Sequence, residues 1–240
     1  MSFADALDIL YEDNHCLAVN KPAGWPSTHF DGGEETVDRL AKAYLKEKHG
    51  KPGNVFLGVV HRLDKPVSGV LLFARTSKAA SRLSEQFREN AVEKTYWAVV
   101  RRDATAEKRF AEPLATGMLD DWLLRDDAAA RTRVVPAGVA GAQSAKLVFQ
   151  VKAAAEGLSW LELKPHTGRK HQLRAQLVAR GLFIYGDKKY GSSENFGPAI
   201  ALHARSLTFL HPTRQEPITI TAELPRYWGK FATLMASGAA

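Results

Sequence analysis

Residues 61–75 read His61-Arg62-Leu63-Asp64-Lys65-Pro66-Val67-Ser68-Gly69-Val70-Leu71-Leu72-Phe73-Ala74-Arg75. From Val70 to Ala74 every residue is apolar, with no polar alternation. A short unbroken run of this kind reads as a strand covered on both faces. The strand is immediately preceded by an imidazole, a guanidinium, a carboxylate and an ammonium. A loop that feeds a buried strand is a rigid mount for a reactive group. Arg62 and Lys65 flank Asp64 with positive charge. The bland alternative is an exposed, salt-bridged turn kinked at Pro66.

Working outward, Ile9–Asn20 reads as a short strand pair turning at Asp13-Asn14. Lys21-Pro22-Ala23-Gly24-Trp25-Pro26 is too rich in Pro and Gly to be helix. From Glu34 to His49 the apolar residues Val37, Leu40, Ala41, Tyr44 and Leu45 fall on one helical face, and Gly50 ends the pattern. Ser77 is placed to cap a helix running through Asn90, with Ala80, Leu83, Ser84 and Phe87 inward. Lys94–Arg101 alternates as a strand. Residues 103–142 are polar and broken by Pro113, Gly117, Pro136, Gly138 and Gly141, and they predict short strands with long connections. Ser144–Lys152 and Leu158–Lys164 predict a hairpin turning at Glu156-Gly157. Ala204–Leu210 and Pro217–Ala222 are two further strands. Many strands, about three helices and no strand–helix repeat favour an α+β fold with a largely antiparallel sheet.

A second polar concentration is Lys164-Pro165-His166-Thr167-Gly168-Arg169-Lys170-His171-Gln172-Leu173-Arg174. Between Leu161 and Tyr190 seven Lys or Arg stand against two acids. Thr167 is placed to cap a helix from about Lys170 to Arg180, stopped by Gly181. Arg169 and Lys170 then fall in its first turn, beside free backbone N–H groups that suit phosphates. Cations there oppose the helix dipole, so they point to a partner rather than to the helix. A solvated basic helix start is the alternative. Arg174, between Leu173 and Leu177, reads as inward-facing, and an inward arginine needs a carboxylate.

The 240 residues carry 33 Lys and Arg against 26 Asp and Glu, a net charge of +7. That balance weakly favours a polyanionic partner. A chain of this length buries roughly 70–75% of its unfolded surface and needs no disulfide or metal to hold a core. The one cysteine, Cys16, excludes an internal disulfide and a CxxC pair and fits a reducing, cytoplasmic setting. The first ten residues lack the basic start of a signal peptide, and no apolar run is long enough to span a membrane. His166 and His171 are badly spaced for a shared metal, and His15, His29, His49, His203 and His211 form no ligand pattern, so no metal site is expected. Neither GxGxxG nor GxxxxGK[ST] occurs. Trp25, Tyr96, Trp97 and Tyr190 are candidates for base stacking, with core packing as the alternative.

His61-Arg62-Leu63-Asp64, followed by Ser68-Gly69 and the apolar strand, resembles the active-site motif of the RluA-type RNA pseudouridine synthases. The resemblance extends through Tyr11-Glu12-Asp13, Asn20-Lys21-Pro22-Ala23-Gly24, Lys94-Thr95-Tyr96 and Thr167–Arg174. It continues through Gly186-Asp187-Lys188-Lys189-Tyr190-Gly191 and Leu202-His203-Ala204. These pieces stand in the family's order over about residues 9–222. Val67 stands where the family usually has Thr, at the stake of one supporting hydrogen bond, and Phe183 and Tyr185 replace Pro and Leu.

The resemblance implies a pseudouridine synthase fold: one domain over residues 1–240, with no separate N-terminal RNA-binding module. Its mixed, mostly antiparallel sheet is flanked by helices around a central catalytic cleft. The implied reaction converts specific uridines of structured RNA to pseudouridine, with base flipping and without a cofactor. Asp64 is the implied catalytic carboxylate, either as a nucleophile on the anomeric carbon or as a base giving a glycal. Arg174 is its implied partner and Tyr96 the residue that stacks on the base. On the substrate side stand Leu173 as an apolar wall, Arg62 as the filler of the flipped nucleotide's gap, His61 beside it, and Arg169 and Lys170 as phosphate contacts. The partner is ribosomal or transfer RNA, gripped at a stem-loop by a cytoplasmic monomer without membrane contact. A non-catalytic RNA-binding protein on the same fold is the main alternative. A hydrolase using Asp64 is a further one, which requires a second carboxylate to handle water.

Overall fold

The structure is a computed structural model, which describes residues 7–28 and 35–238. In chain order the elements are β1 (Asp8–Glu12), β2 (Cys16–Lys21), α1 (Val37–Lys48), β3 (Gly58–Val59), β4 (Ser68–Ala74) and α2 (Ser77–Arg88). These are followed by β5 (Glu93–Arg102), β6 (Thr116–Asp126), β7 (Arg131–Val135), β8 (Gln143–Ala155), β9 (Leu158–Pro165), α3 (Gln172–Val178) and β10 (Leu182–Ile184). The chain closes with β11 (Leu202–Leu210), β12 (Pro217–Thr221) and α4 (Ala232–Ala236). The contacts group the chain into two units, residues 1–93 with 204–224, and residues 94–203 with 225–240. The class is the expected α+β, with a mostly antiparallel sheet.

In the first unit β2 lies between β1 and β4, and both pairings are antiparallel. The strand expected to be covered on both faces is so covered: all seven residues of β4 are buried, between β2 and β11. Cys16, Ala18, Val70, Leu72, Leu83, Leu207, Phe209 and Ile220 share one core. Gly69 is fixed by that packing. Its φ is +115°, and a Cβ there would fall 2.2 Å from the Ala204 carbonyl oxygen, a contact no side chain survives.

Helix α1 buries Val37, Leu40, Ala41 and Leu45, as the periodicity predicts, while Tyr44 is half-buried. Its expected start at Glu34, like His29, lies outside the described residues. Its first N–H groups are satisfied by the carbonyls of Pro26 and Ser27, at 3.0 and 3.2 Å. Helix α2 is capped one residue earlier than expected. Thr76, not Ser77, accepts from the Ala79 N–H at 3.1 Å, and Ala79 with Leu83 makes the buried face.

The second unit has the strand order β10-β5-β9-β8-β6-β7, antiparallel throughout. The β8–β9 hairpin turns at Glu156-Gly157, both at positive φ, as expected. Residues 103–142 differ from expectation. They contain β6, eleven residues long, paired with both β7 and β8. Adjacent Asp120 and Asp121 hide its alternation in the sequence. Asp121 points inward and is bonded by Gln176 at 2.7 Å and Arg180 at 2.8 Å, so the carboxylate is buried at little cost. Outward-facing Met118 and Trp122 leave the opposite face partly apolar.

Candidate active site

Asp64 lies in a turn closed by the Val67 N–H donating to its carbonyl at 3.0 Å. The residues on either side are held by the stretch that cannot be helix. Ser27 Oγ donates to the Leu63 carbonyl at 2.7 Å and accepts from the Leu63 N–H at 3.0 Å. The Gly24 N–H donates to the Lys65 carbonyl at 2.8 Å. Lys21, at the end of β2 and 0% exposed, donates from Nζ to the carbonyls of Pro22 (2.9 Å), Trp25 (2.7 Å) and Lys65 (3.1 Å). Three acceptors match the three N–H groups of an ammonium. Burial pushes Lys21 down to about 7, and the charge of Asp64 pushes it back up. The backbone before and after Asp64 is therefore over-determined, as a precisely aimed side chain requires.

The neighbouring candidates differ in character. Arg62 is exposed. His61 is tied into the protein: its ring stacks on Phe87 at 4.7 Å and its Nε2 accepts from the Leu72 N–H at 2.9 Å. That bond puts the ring proton on Nδ1. Val67, where the family usually has Thr, is buried, and Ser68 beside it is fully buried.

In the second unit Tyr96 is half-buried on β5, opposite Leu163 of β9. Lys94 shares its face, and burial holds that ammonium below the usual lysine range. Trp97 packs edge-on against Trp160 at 5.0 Å, and Tyr190 is buried. Tyr190 therefore takes the core-packing alternative, whereas Trp97 is half-buried.

The expected helix start at Lys170 is corrected. Helix α3 begins at Gln172, after His171 at φ +52°, and has seven residues. Thr167 does not cap it. Its hydroxyl bonds to the Gln172 side chain at 2.7 Å, and the same Oε1 accepts from the Arg169 N–H at 3.1 Å. The Gln172 side chain thus folds back and organises a turn where sequence periodicity continues the helix. Arg169 and Lys170 sit in that turn, outside the helix, and both are exposed. A grip on phosphate there rests on their side chains, not on a helix N-terminus.

Leu173 and Arg174 are buried, the latter inward-facing as expected. The required carboxylate is supplied within the unit by Asp187. Arg174 Nε and Nη2 donate to its two oxygens, each at 2.7 Å, with both residues at most 4% exposed. Asp187 stands in the Gly186–Gly191 motif, and its local sequence assigns it no role. The signal was an acid in a basic stretch next to a glycine turn.

One cluster with metal-ligand chemistry occurs among the described residues, although the histidine spacing predicts none: Asp13, Cys16 and His211. Its donors are already used. His211 Nδ1 accepts from the N–H groups of Thr213 and Arg214, and Nε2 meets Asp13 at 2.8 Å. Burial pushes the Cys16 thiol up to about 12. A protonated thiol and a doubly engaged imidazole make a structural hub, not an ion site.

A family model described as RNA pseudouridylate synthase matches residues 15–179. The chain belongs to this family and is an RNA pseudouridine synthase of the RluA type, an enzyme that isomerises uridine in RNA. It is 35% identical to tRNA pseudouridine synthase C of Pasteurella multocida, over 92% of this chain and 93% of that protein. It is likewise 35% identical to the protein of the same name in Haemophilus influenzae, over 92% and 95%. Against an uncharacterized RNA pseudouridine synthase of Bacillus subtilis the identity is 36%, over 91% and 69%. Among solved structures, human RNA Pseudouridylate Synthase Domain Containing 4 superimposes with a TM-score of 0.78 at 25% identity, covering 97% of this chain and 95% of that one.

Proposed function

We propose that the enzyme acts on transfer RNA, with Asp64 as its catalytic carboxylate and Tyr96 and Arg174 completing the reacting set. The relatives whose names specify transfer RNA match nearly end to end, which favours that class over ribosomal RNA. The observation that carries the role of Asp64 is the clamping of Leu63 and Lys65 by Lys21, Gly24 and Ser27. A carboxylate that must meet one carbon atom gains most from such pre-organisation.

In this reading Asp64 either bonds to the anomeric carbon as uracil leaves, or takes the neighbouring ribose proton to give a glycal. In both routes the uracil rotates. In the first, carbon 5 attacks the anomeric carbon and displaces the Asp64 carboxylate. In the second, carbon 5 bonds to the anomeric carbon of the glycal while Asp64 returns the proton to the neighbouring ribose carbon. The proton on carbon 5 then passes to solvent, and N1 gains one. Asp187 engages Nε and Nη2 of Arg174 and fixes the orientation of its guanidinium within its own unit. Tyr96 stacks on the base and Leu173 forms the apolar wall. Arg62 and His61 lie on the substrate side, and Arg169 and Lys170 meet phosphates. A monomer working in the cytoplasm grips a stem-loop of the RNA.

The test is tritium release from transfer RNA and ribosomal RNA labelled at carbon 5 of uridine. Wild type should release tritium from transfer RNA and Asp64→Asn should not. Release by Asp64→Asn refutes the carboxylate assignment, and release from ribosomal RNA alone moves the substrate class.

A further inference from the structure

The turn that carries Asp187 reaches Arg174 from a second direction. Residues 188–190 form one 3-10 turn, in which the Tyr190 N–H donates to the Asp187 carbonyl at 3.0 Å. Asp187 takes the edge of the guanidinium, while the Tyr190 ring covers its face, 4.7 Å from the ring centre. The two contacts restrain different motions: the carboxylate limits sliding in the plane, and the ring limits tilting out of it.

The ring is itself anchored. Its hydroxyl accepts from the Thr132 N–H of β7 at 2.8 Å and lies 3.0 Å from His171 Nδ1. The His171 ring packs edge-on against it at 5.7 Å. His171 is the residue at positive φ immediately before α3. An uncommon backbone conformation at a non-glycine residue persists only where its surroundings hold it. Tyr190 is 8% exposed, so these contacts are not competed for by water.

We propose that Tyr190 is a positioning residue for the isomerisation: its ring fixes the plane of the Arg174 guanidinium, and its hydroxyl fixes the ring to β7 and to the start of α3. This rests on the role assigned to Arg174 above. Tyr190 acts through Arg174 and does not touch the reacting atoms. Its loss should therefore lower kcat and leave the KM for RNA nearly unchanged.

The variants are Tyr190→Phe, which keeps the ring, and Tyr190→Leu, which removes it. They are assayed by tritium release beside Asp64→Asn and Arg174→Lys, with circular dichroism confirming folded protein. Tyr190→Leu should lower kcat about 100-fold with KM within about 3-fold, and Tyr190→Phe about 10-fold or less. In an Arg174→Lys background the further loss from Tyr190→Leu should shrink to about 3-fold or less, because the contact is already gone. Equal losses in the two Tyr190 variants, a KM that rises as kcat falls, or full additivity with Arg174→Lys overturns the proposal. If Tyr190→Leu unfolds, Tyr190→Phe decides by the same kcat and KM split. Activity retained in Asp64→Asn or Arg174→Lys instead overturns the site assignment, a separate failure.

Discussion

Lys21 Nζ donates to the main-chain carbonyl of Lys65 at 3.1 Å, which ties the end of β2 to the residue directly after Asp64. Two more carbonyls complete the shell of this fully buried ammonium. The turn that presents the carboxylate is thereby held by a buried, hydrogen-bonded cation.

Lys21→Met should destabilise the protein by about 2–4 kcal/mol, since it takes the Lys21 donor from the carbonyls of Pro22 and Trp25 and leaves that of Lys65 with the Gly24 N–H alone. Urea unfolding would measure this. Turnover should fall further than the folded fraction does, because the turn loses its anchor. Loss of activity strictly in proportion to folded protein would reduce Lys21 to a stability role.

Gly69→Ala should not yield folded protein at 37 °C. The added methyl meets the Ala204 carbonyl at 2.2 Å in a left-handed backbone, and such strain costs roughly 3 kcal/mol or more. Soluble yield and thermal midpoint report it, and a stable, active variant would show that β4 and β11 can part there.

Lys170→Ala should weaken RNA binding several-fold and lower the slope of log K against log salt by about 1, as removal of one phosphate contact does. Lys170 is exposed, so stability should not change. An unaltered slope in filter binding counts against the phosphate role.

Acid should loosen the first unit through Glu12. Burial pushes its carboxyl up, but bonds from Lys48, His49 and Tyr44 outweigh this and hold it at about 2, against 4.5 when unpaired. Its folded value is depressed, so its contribution is fully present above pH 4.5 and is lost as pH falls from there toward 2. The amount is about 2 kcal/mol after allowance for solvent screening of Lys48 and His49. Asp13, held still lower by its bonds from His15, Cys16, Tyr11 and His211 in spite of burial, adds to the same limb. Urea midpoints of Glu12→Gln should therefore change less between pH 5 and 2 than those of wild type.

Most elements could be read from local pattern. The unbroken apolar run of β4, the amphipathic α1 and the β8–β9 hairpin are set by period and turn residues, which neighbours in sequence determine. Order along the chain also carried the family, because Asp64, Tyr96 and Arg174 each stand inside a motif with its own flanks. What escaped was long-range. The length of β6 depends on Asp121 meeting Gln176 and Arg180, 55 and 59 residues away. The late start of α3 depends on the Gln172 side chain turning back toward Thr167 and the Lys146 carbonyl.

Residue type and spacing thus set most of the strands and helices and the family, and they single out the candidate reactive residues. Three-dimensional packing set Lys21 and Ser27 to hold the turn of Asp64, and Asp187 and Tyr190 to grip Arg174 from edge and face. The physical reason is that hydrogen-bond and stacking partners are chosen by position in space. A buried ammonium or guanidinium announces that it needs acceptors, but not which carbonyls or which carboxylate the fold will bring to it.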